Sequence, residues 1–285
     1  MPGSVEGGIG TIGAIAGDIV GSRFEFRNCK DKEFELFTGE CRATDDSVMT
    51  IAAAKAIMEA KKRKNLNAHG NESDREFYTL LENETIRCLR QIGRRYPDCG
   101  YGRMFSRWLW SDDPRPYNSF GNGAAMRVSP AGFAAQTESE AVKLAQAVTS
   151  VTHNHAEGLR GAEAVAVTVF MARHGFTKAQ IREKITACYY PLDFTIDEIR
   201  DDYMFDETCQ KTVPQALEAF LEASSFEDAL RTAISLGGDS DTLAAITGAA
   251  AEAFYGVPDA IRIKALSYLD AGLLAIYEEW RKYIP

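Results

Sequence analysis

Apolar residues recur at helical spacing from one end of this chain to the other, while alternating patterns of the strand type are nearly absent, which predicts an all-α protein. Thr137 and Glu140 read as a capping box ahead of Ala141, Leu144, Ala145 and Val148, which share one helical face. Thr177 and Gln180 repeat the signal before Ile181, Ile185 and Cys188. Phe226, Leu230, Ala233 and Ile234 form a further stripe that must stop at Gly237-Gly238. The Ala-rich run 243–254, closed by Gly256 and Pro258, can pack closely on most sides and is expected at the centre of the fold. Residues 61–74 (KKRKNLNAHGNESD) and 110–118 (WSDDPRPYN) read as surface loops, too short for domain linkers. With no internal repeat and no low-complexity tract, residues 1–285 are expected to form one helical domain.

Composition narrows the class of protein. With 285 residues and 45% hydrophobic side chains, the chain can bury a substantial core. A net charge of −9 and an isoelectric point near 5.1 disfavour extended nucleic acid as a partner. The six cysteines (Cys29, Cys41, Cys88, Cys99, Cys188, Cys209) are scattered with no C-x-x-C pair, and they read as reduced thiols of a cytoplasmic protein. No basic segment precedes the apolar residues of 1–21, and Gly and Asp interrupt them, so no secretory leader is expected. The longest strongly apolar run, 162–172, is about half the length a bilayer span needs and reads as a buried helix.

Two short acidic clusters carry the main chemical signal. Thr44-Asp45-Asp46 and Gly237-Gly238-Asp239-Ser240-Asp241-Thr242 are far apart in the chain, and each opens a predicted helix. Capping alone would account for either cluster taken singly. Brought together, the four carboxylates would repel one another and lose solvation unless protons or cations compensated. Oxygen donors without Cys or His suit Mg²⁺ or Mn²⁺ rather than zinc or copper. In a regular helix Asp239 and Asp241 would point about 200° apart. They converge only if the turn after Gly237-Gly238 is not yet helical. An EF-hand is excluded because its sixth position needs Gly and Ala244 stands there, and no G-x-x-x-x-G-K-[S/T] phosphate loop occurs.

Three further segments draw attention. Residues 119–127 (SFGNGAAMR) read either as a plain capped turn or as a glycine-rich turn entering a helix, with backbone N–H groups suited to a phosphate. His153 and His155 fall between two predicted helices, where histidines more often cap or face solvent than catalyse. Glu25, between Phe24 and Phe26, would have a raised pKa if buried.

Taken in order, these segments resemble the ADP-ribosylglycohydrolase family. The resemblance runs over nearly the whole chain, from Gly13-Ala14-Ile15-Ala16-Gly17-Asp18 with Glu25-Phe26, through Thr44-Asp45-Asp46-Ser47, 120–127 and Thr152-His153, to 237–242. It implies a compact orthogonal multi-helix bundle with two divalent cations, Mg²⁺ or Mn²⁺, at the bottom of a cleft. The implied metal ligands are Thr44, Asp45, Asp46, Asp239, Asp241 and Thr242, with Glu25, Asp46 and Asp241 catalytic. Phe120, Gly121, Asn122 and Gly123 match a loop holding the distal ribose and diphosphate, and His153 matches a histidine lining the same pocket. The implied reaction is hydrolysis of the C1″ glycosidic bond of ADP-ribosylated substrates. ADP-ribosyl-arginine on protein leads, with serine-linked ADP-ribose and O-acetyl-ADP-ribose as alternatives. The implied partner is an ADP-ribosylated protein or a small ADP-ribose conjugate, met by a monomer away from membranes.

This chain departs from many relatives at Ser47 and Ser240, which keep a hydroxyl in place of Thr. Leu243 and Glu252 stand where a polar and a small residue are frequent. A non-catalytic ADP-ribose-binding protein is the rival from another class, and retention of every acidic ligand favours an enzyme.

Overall fold

The computed structural model describes residues 10–66 and 74–284. Fourteen α-helices account for most of them: α1 (Ile12–Gly21), α2 (Asp45–Leu66), α3 (Asp74–Gly93), α4 (Arg103–Trp110), α5 (Ser129–Ala134), α6 (Glu138–Ser150), α7 (Ala156–Arg173), α8 (Lys178–Cys188), α9 (Ile196–Ile199), α10 (Cys209–Glu222), α11 (Phe226–Ile234), α12 (Ser240–Tyr255), α13 (Asp259–Leu266) and α14 (Ala271–Tyr283). Among the described residues there is no strand, and one isolated antiparallel bridge joins Gly121 to Thr208. The all-α expectation holds.

Helix α12 is the axis of the fold. Every residue from Ser240 to Ala253 is buried, and α1, α7, α10 and α11 surround it. Its Ala and Gly side chains permit this, because small residues let neighbouring backbones approach closely. The approach is closest against α1, which runs antiparallel to it. A Cβ on Gly17 would lie 2.0 Å from the Ala244 carbonyl oxygen, one on Gly13 2.2 Å from that of Gly248, and one on Gly21 2.5 Å from Asp241 Cα. Gly13, Gly17 and Gly21 are spaced by four and lie along one face of α1. They set the distance between the two helices, and with it the position of Asp18 relative to Asp241.

The first turn of α1 has no side-chain cap of its own, since Thr11 adopts φ 67° and its side chain makes no capping hydrogen bond. The cap comes from α12. The buried Glu252 carboxylate accepts the N–H groups of Gly10 and Gly13, each at 2.7 Å. The bulk at position 252 is therefore used in place of a missing local cap.

Helix starts and stops follow the sequence signals with two corrections. Thr177 and Gln180 form a complete capping box. At Thr137 only half of one forms, because the Glu140 carboxylate turns to the Gln136 N–H at 2.9 Å. Of the loop expected at 61–74, residues 61–66 continue α2 and Asp74 opens α3, while 67–73 lie outside the described residues. Lys and Arg are good helix formers, and the solvated last turns of a helix have the composition of a loop. The apolar run 162–172 lies within the largely buried α7, and among the described residues no helix is long and apolar enough to cross a membrane.

Candidate active site and metal centre

Three chain segments converge beneath one cavity. Asp18 projects from the last turns of α1, fully buried, and accepts the N–H groups of Thr44 at 2.9 Å and Ser47 at 3.0 Å. It also accepts the Thr44 hydroxyl at 2.5 Å and the Ser47 hydroxyl. One carboxylate thus secures the start of α2, where Asp45 and Asp46 stand. The hydroxyl kept at Ser47 has a definite task, because it is one of those four donors.

The second cluster is shaped by Gly237 and Gly238, both in the left-handed region at φ 68° and 70°. Asp239 is left outside the helix at φ −76°, ψ 74°, while Asp241 is already in the first turn of α12. That break in geometry lets two residues spaced by two turn toward one centre. Thr242 donates from its hydroxyl to Asp46 at 3.2 Å, and the Thr44 hydroxyl lies 3.5 Å from the Asp241 carboxylate. Both threonines therefore stitch the clusters together.

Glu25 arrives on the loop after α1, and Asn28 anchors that loop. The Asn28 side-chain amide donates to the carbonyls of Phe24 at 2.9 Å and Glu25 at 3.1 Å, and to that of Gly238 at 3.1 Å. Its oxygen accepts the Gly238 N–H at 2.9 Å. A single side chain therefore ties the Glu25 loop to the Gly237-Gly238 turn.

Two groups of carboxylates result. Oxygens of Asp18, Asp46 and Asp241 lie within 4.8 Å of one another, and so do those of Glu25, Asp239 and Asp241. Asp241 belongs to both. Burial pushes Asp18 up despite its hydrogen bonds, and burial followed by the Asp241 charge holds Asp45 and Asp46 well above the usual range. Asp241 is raised in the same direction by burial and by Asp239. Burial lifts Asp239 to about 6, and burial with the nearby Asp241 lifts Glu25 to about 7. Other buried carboxylates are each compensated: Glu84 meets Arg63 and Arg87, Glu218 meets Arg182, and Glu252 accepts backbone N–H groups. The aspartates of the site face one another instead.

The residues fit a divalent metal. One oxygen of Asp46, Oδ1, is fully buried with no hydrogen-bond partner among the described residues, which is costly for a carboxylate unless a cation supplies the contact. The donor set is made of carboxylate and hydroxyl oxygens, the hard ligands that Mg²⁺ and Mn²⁺ prefer.

Above the carboxylates lies a cavity of about 430 Å³, in the range for a small-molecule site. Asp45, Asp46, Asp239, Asp241, Thr242 and Glu25 line it from below and Gly121, Asn122, Gly123 and His153 from one wall. Phe120 does not line it; its ring is 44% exposed and packs on His155, with centroids 5.3 Å apart. Residues 122–124 form a short 3-10 turn rather than the entry to a helix. Its backbone offers less to a phosphate than the glycines suggested. The N–H groups of Gly121, Asn122, Ala124, Ala125 and Met126 already have acceptors within the protein, at Ser119, Glu207, Gly121 and Asn122. The Asn122 side chain instead reaches down to Asp239 at 2.6 Å.

The two histidines part company. His155 caps α7 by accepting the Glu157 N–H at 3.1 Å. His153 is buried, its pKa held well below the usual value by burial and by Arg127. Arg127 donates to the Thr152 hydroxyl, which lies 2.7 Å from His153 Nδ1. Arg127 also lies 3.4 Å from Nδ1, and because a guanidinium can only donate, Nδ1 is assigned as the acceptor and the ring proton to Nε2, the nitrogen that faces Gly123.

Sequence reasoning missed Asp18, Asn28 and Arg127 as site residues. Asp18 had a readable signal, a lone carboxylate inside the apolar run GAIAGDIVG. Arg127 is fully buried on the cavity wall, its pKa pushed down to about 10 by burial. Asn28 had no signal, because a lone Asn in a polar loop is ordinary.

The family profile described as ADP-ribosylglycohydrolase matches residues 10–281. The chain belongs to that family. The ADP-ribosylarginine hydrolase Tri1 of Pseudomonas putida (strain GB-1) is 27% identical over 266 residues, 86% of this chain and 69% of that protein. The human ADP-ribosylhydrolase ARH3 is 27% identical over 342 aligned residues, 92% of this chain and 90% of that one. A solved ADP-ribosylglycohydrolase-related protein complex superposes with a TM-score of 0.64 at 21% identity, covering 96% of this chain and 98% of that one, and shares the fold. As a member of this family the chain is an enzyme, a glycosidase of the ADP-ribosylglycohydrolase class.

Proposed function

We propose that this ADP-ribosylglycohydrolase cleaves the C1″ bond of ADP-ribosyl-arginine on protein, releasing ADP-ribose, and that it needs two divalent cations, Mg²⁺ or Mn²⁺. The observation that carries this reading is the pair of carboxylate groups sharing Asp241 at the floor of the cavity. Asp46, Asp239 and Asp241 would hold the ions, with Asp18 added to the set and Thr44, Asp45 and Thr242 completing it. Ions bound there supply orientation of the ribose hydroxyls and activation of a water. The residues themselves do the rest. Carboxylates facing C1″ offset the positive charge that develops as the acceptor departs. Glu25, at a pKa of about 7, is placed to exchange a proton with water or with the departing nitrogen near neutral pH. Gly121, Asn122, Gly123 and His153 would seat the distal ribose and diphosphate, with Phe120 at the outer edge. Arginine as the acceptor is supported by the activity named for Tri1. The working form is a cytoplasmic monomer of one domain.

Product identification tests the reading. Arginine- and serine-modified ADP-ribosyl peptides are incubated with Mg²⁺ or Mn²⁺ and followed by mass spectrometry. Loss of ADP-ribose from the arginine peptide, stopped by a chelator, is expected. Release of phosphate, or no release from either peptide, would overturn it. Asn28→Ala is expected to lower turnover about 10–100-fold, the cost typical of residues that orient metal ligands, measured as kcat at saturating cation. Unchanged kcat would mean that the Gly237-Gly238 turn and the Glu25 loop hold themselves.

A further inference from the structure

Beside the main cavity lies a second one, about 390 Å³, lined by Glu25, Phe26, Asn28 and Phe205. Glu25 and Phe205 line both, so the two are adjacent and share a wall. Phe26 is 78% exposed and Phe205 42%, and their rings stack with centroids 6.4 Å apart and planes 25° apart. Exposing two large apolar side chains together is unfavourable in water.

The backbone leading to each ring is anchored. Asn28 bonds the backbone immediately before Phe26. Lys30 donates to the carbonyls of Arg200, Tyr203 and Leu236 at 2.5, 2.8 and 2.7 Å, anchoring the chain that leads to Phe205. Two carboxylates stand near the pair, Glu25 and Glu207, with Arg42 acting on the first of them. Glu25 stands between the cavities, and Glu207 lines the larger one two residues beyond Phe205. The nearby Arg27 is matched by Glu40 at 3.7 Å. A flat cation at the pair would lie within the roughly 6 Å reach of both ring faces and beside a carboxylate.

Resting on the function proposed above, we infer that Phe26 and Phe205, with Glu207, form an acceptor-side clamp for a guanidinium. The ADP-ribose would occupy the larger cavity with C1″ above the carboxylates, and the modified arginine would leave through the smaller one. The placement follows from Glu25, which belongs both to a carboxylate group and to the smaller cavity. The clamp selects the acceptor and leaves the nucleotide to the opposite wall.

Steady-state kinetics on arginine- and serine-linked ADP-ribosyl peptides, combined with calorimetric titration of free ADP-ribose, tests this. In Phe26→Ala and Phe205→Ala, KM for the arginine-linked peptide is expected to rise about tenfold, as removal of a cation–π interaction at a partly desolvated site would produce. The kcat should change less than KM, the serine-linked peptide should be affected less, and the ADP-ribose Kd should hold. Phe26→Tyr, which keeps the ring, should restore KM. Equal losses on both peptides, an unchanged KM, or a weakened ADP-ribose Kd placing the rings on the nucleotide would each overturn the clamp. Cleavage of the serine-linked peptide alone by the wild type would overturn the clamp and leave a hydrolase. No release from any peptide would overturn the hydrolase reading, and the clamp with it.

Discussion

Asp241→Asn is expected to abolish cation binding at both carboxylate groups and to lower turnover by on the order of 10³-fold, because metal assistance contributes several kcal/mol to such a reaction. Loss of any other carboxylate touches one group; Asp241 belongs to both. The same variant separates metal binding from folding. In the metal-free wild type the site carboxylates bind protons more tightly folded than unfolded, with Asp239 at about 6 and Glu25 at about 7. The stability they permit is complete below their unfolded values of about 4 and is lost as pH rises through about 6–7. The metal-free protein should therefore melt at a higher temperature at pH 5.5 than at pH 8. At pH 8, Mn²⁺ at a hundred times its Kd adds about 2.7 kcal/mol, or roughly 5–10 °C for a chain of this size. Asp241→Asn should lose the Mn²⁺ shift and melt no lower than the metal-free wild type, since a buried like charge has gone. A Mn²⁺ shift of wild-type size in the variant would sink the shared-ligand arrangement.

Gly17→Ala should be nearly as damaging although it adds one methyl group and touches no carboxylate. Its Cβ would meet the Ala244 carbonyl at 2.0 Å, a backbone atom that no rotamer change can move. Overpacking of this kind costs about 1–3 kcal/mol, and thermal unfolding at pH 7 should show a fall of roughly 2–10 °C. The displaced α1 carries Asp18 with it, so calorimetry should also show weaker cation binding. Gly39→Ala is the control, since nothing lies within 4 Å of its added Cβ. Equal melting of the two variants would mean that the α1–α12 contact is not what holds the site.

Much of this protein can be read along the chain. The helices at 138–150, 178–188 and 226–234 follow from periodicity and caps within a few residues of their ends. The break at Gly237-Gly238 was required by the 200° problem between Asp239 and Asp241, and it occurs there with both glycines at positive φ. The failures have a common form. The polar end of α2 looked like a loop because a solvated helix and a loop share a composition. The backbone of 119–127 looked free to hold a phosphate because donors are visible in a sequence and their acceptors are not.

By itself the sequence determined the all-α class, the acidic helix starts and the family to which the chain belongs, since periodicity, capping and motif order are local or sequential properties. The tertiary structure alone decided that Asp18 secures the start of α2, that Asn28 ties Glu25 to the glycine turn, and that Asp241 is common to both carboxylate groups. Each depends on how closely α1 approaches α12. That distance is set by glycines meeting a backbone more than two hundred residues away, as Gly17 meets Ala244, and no local pattern in the chain encodes it.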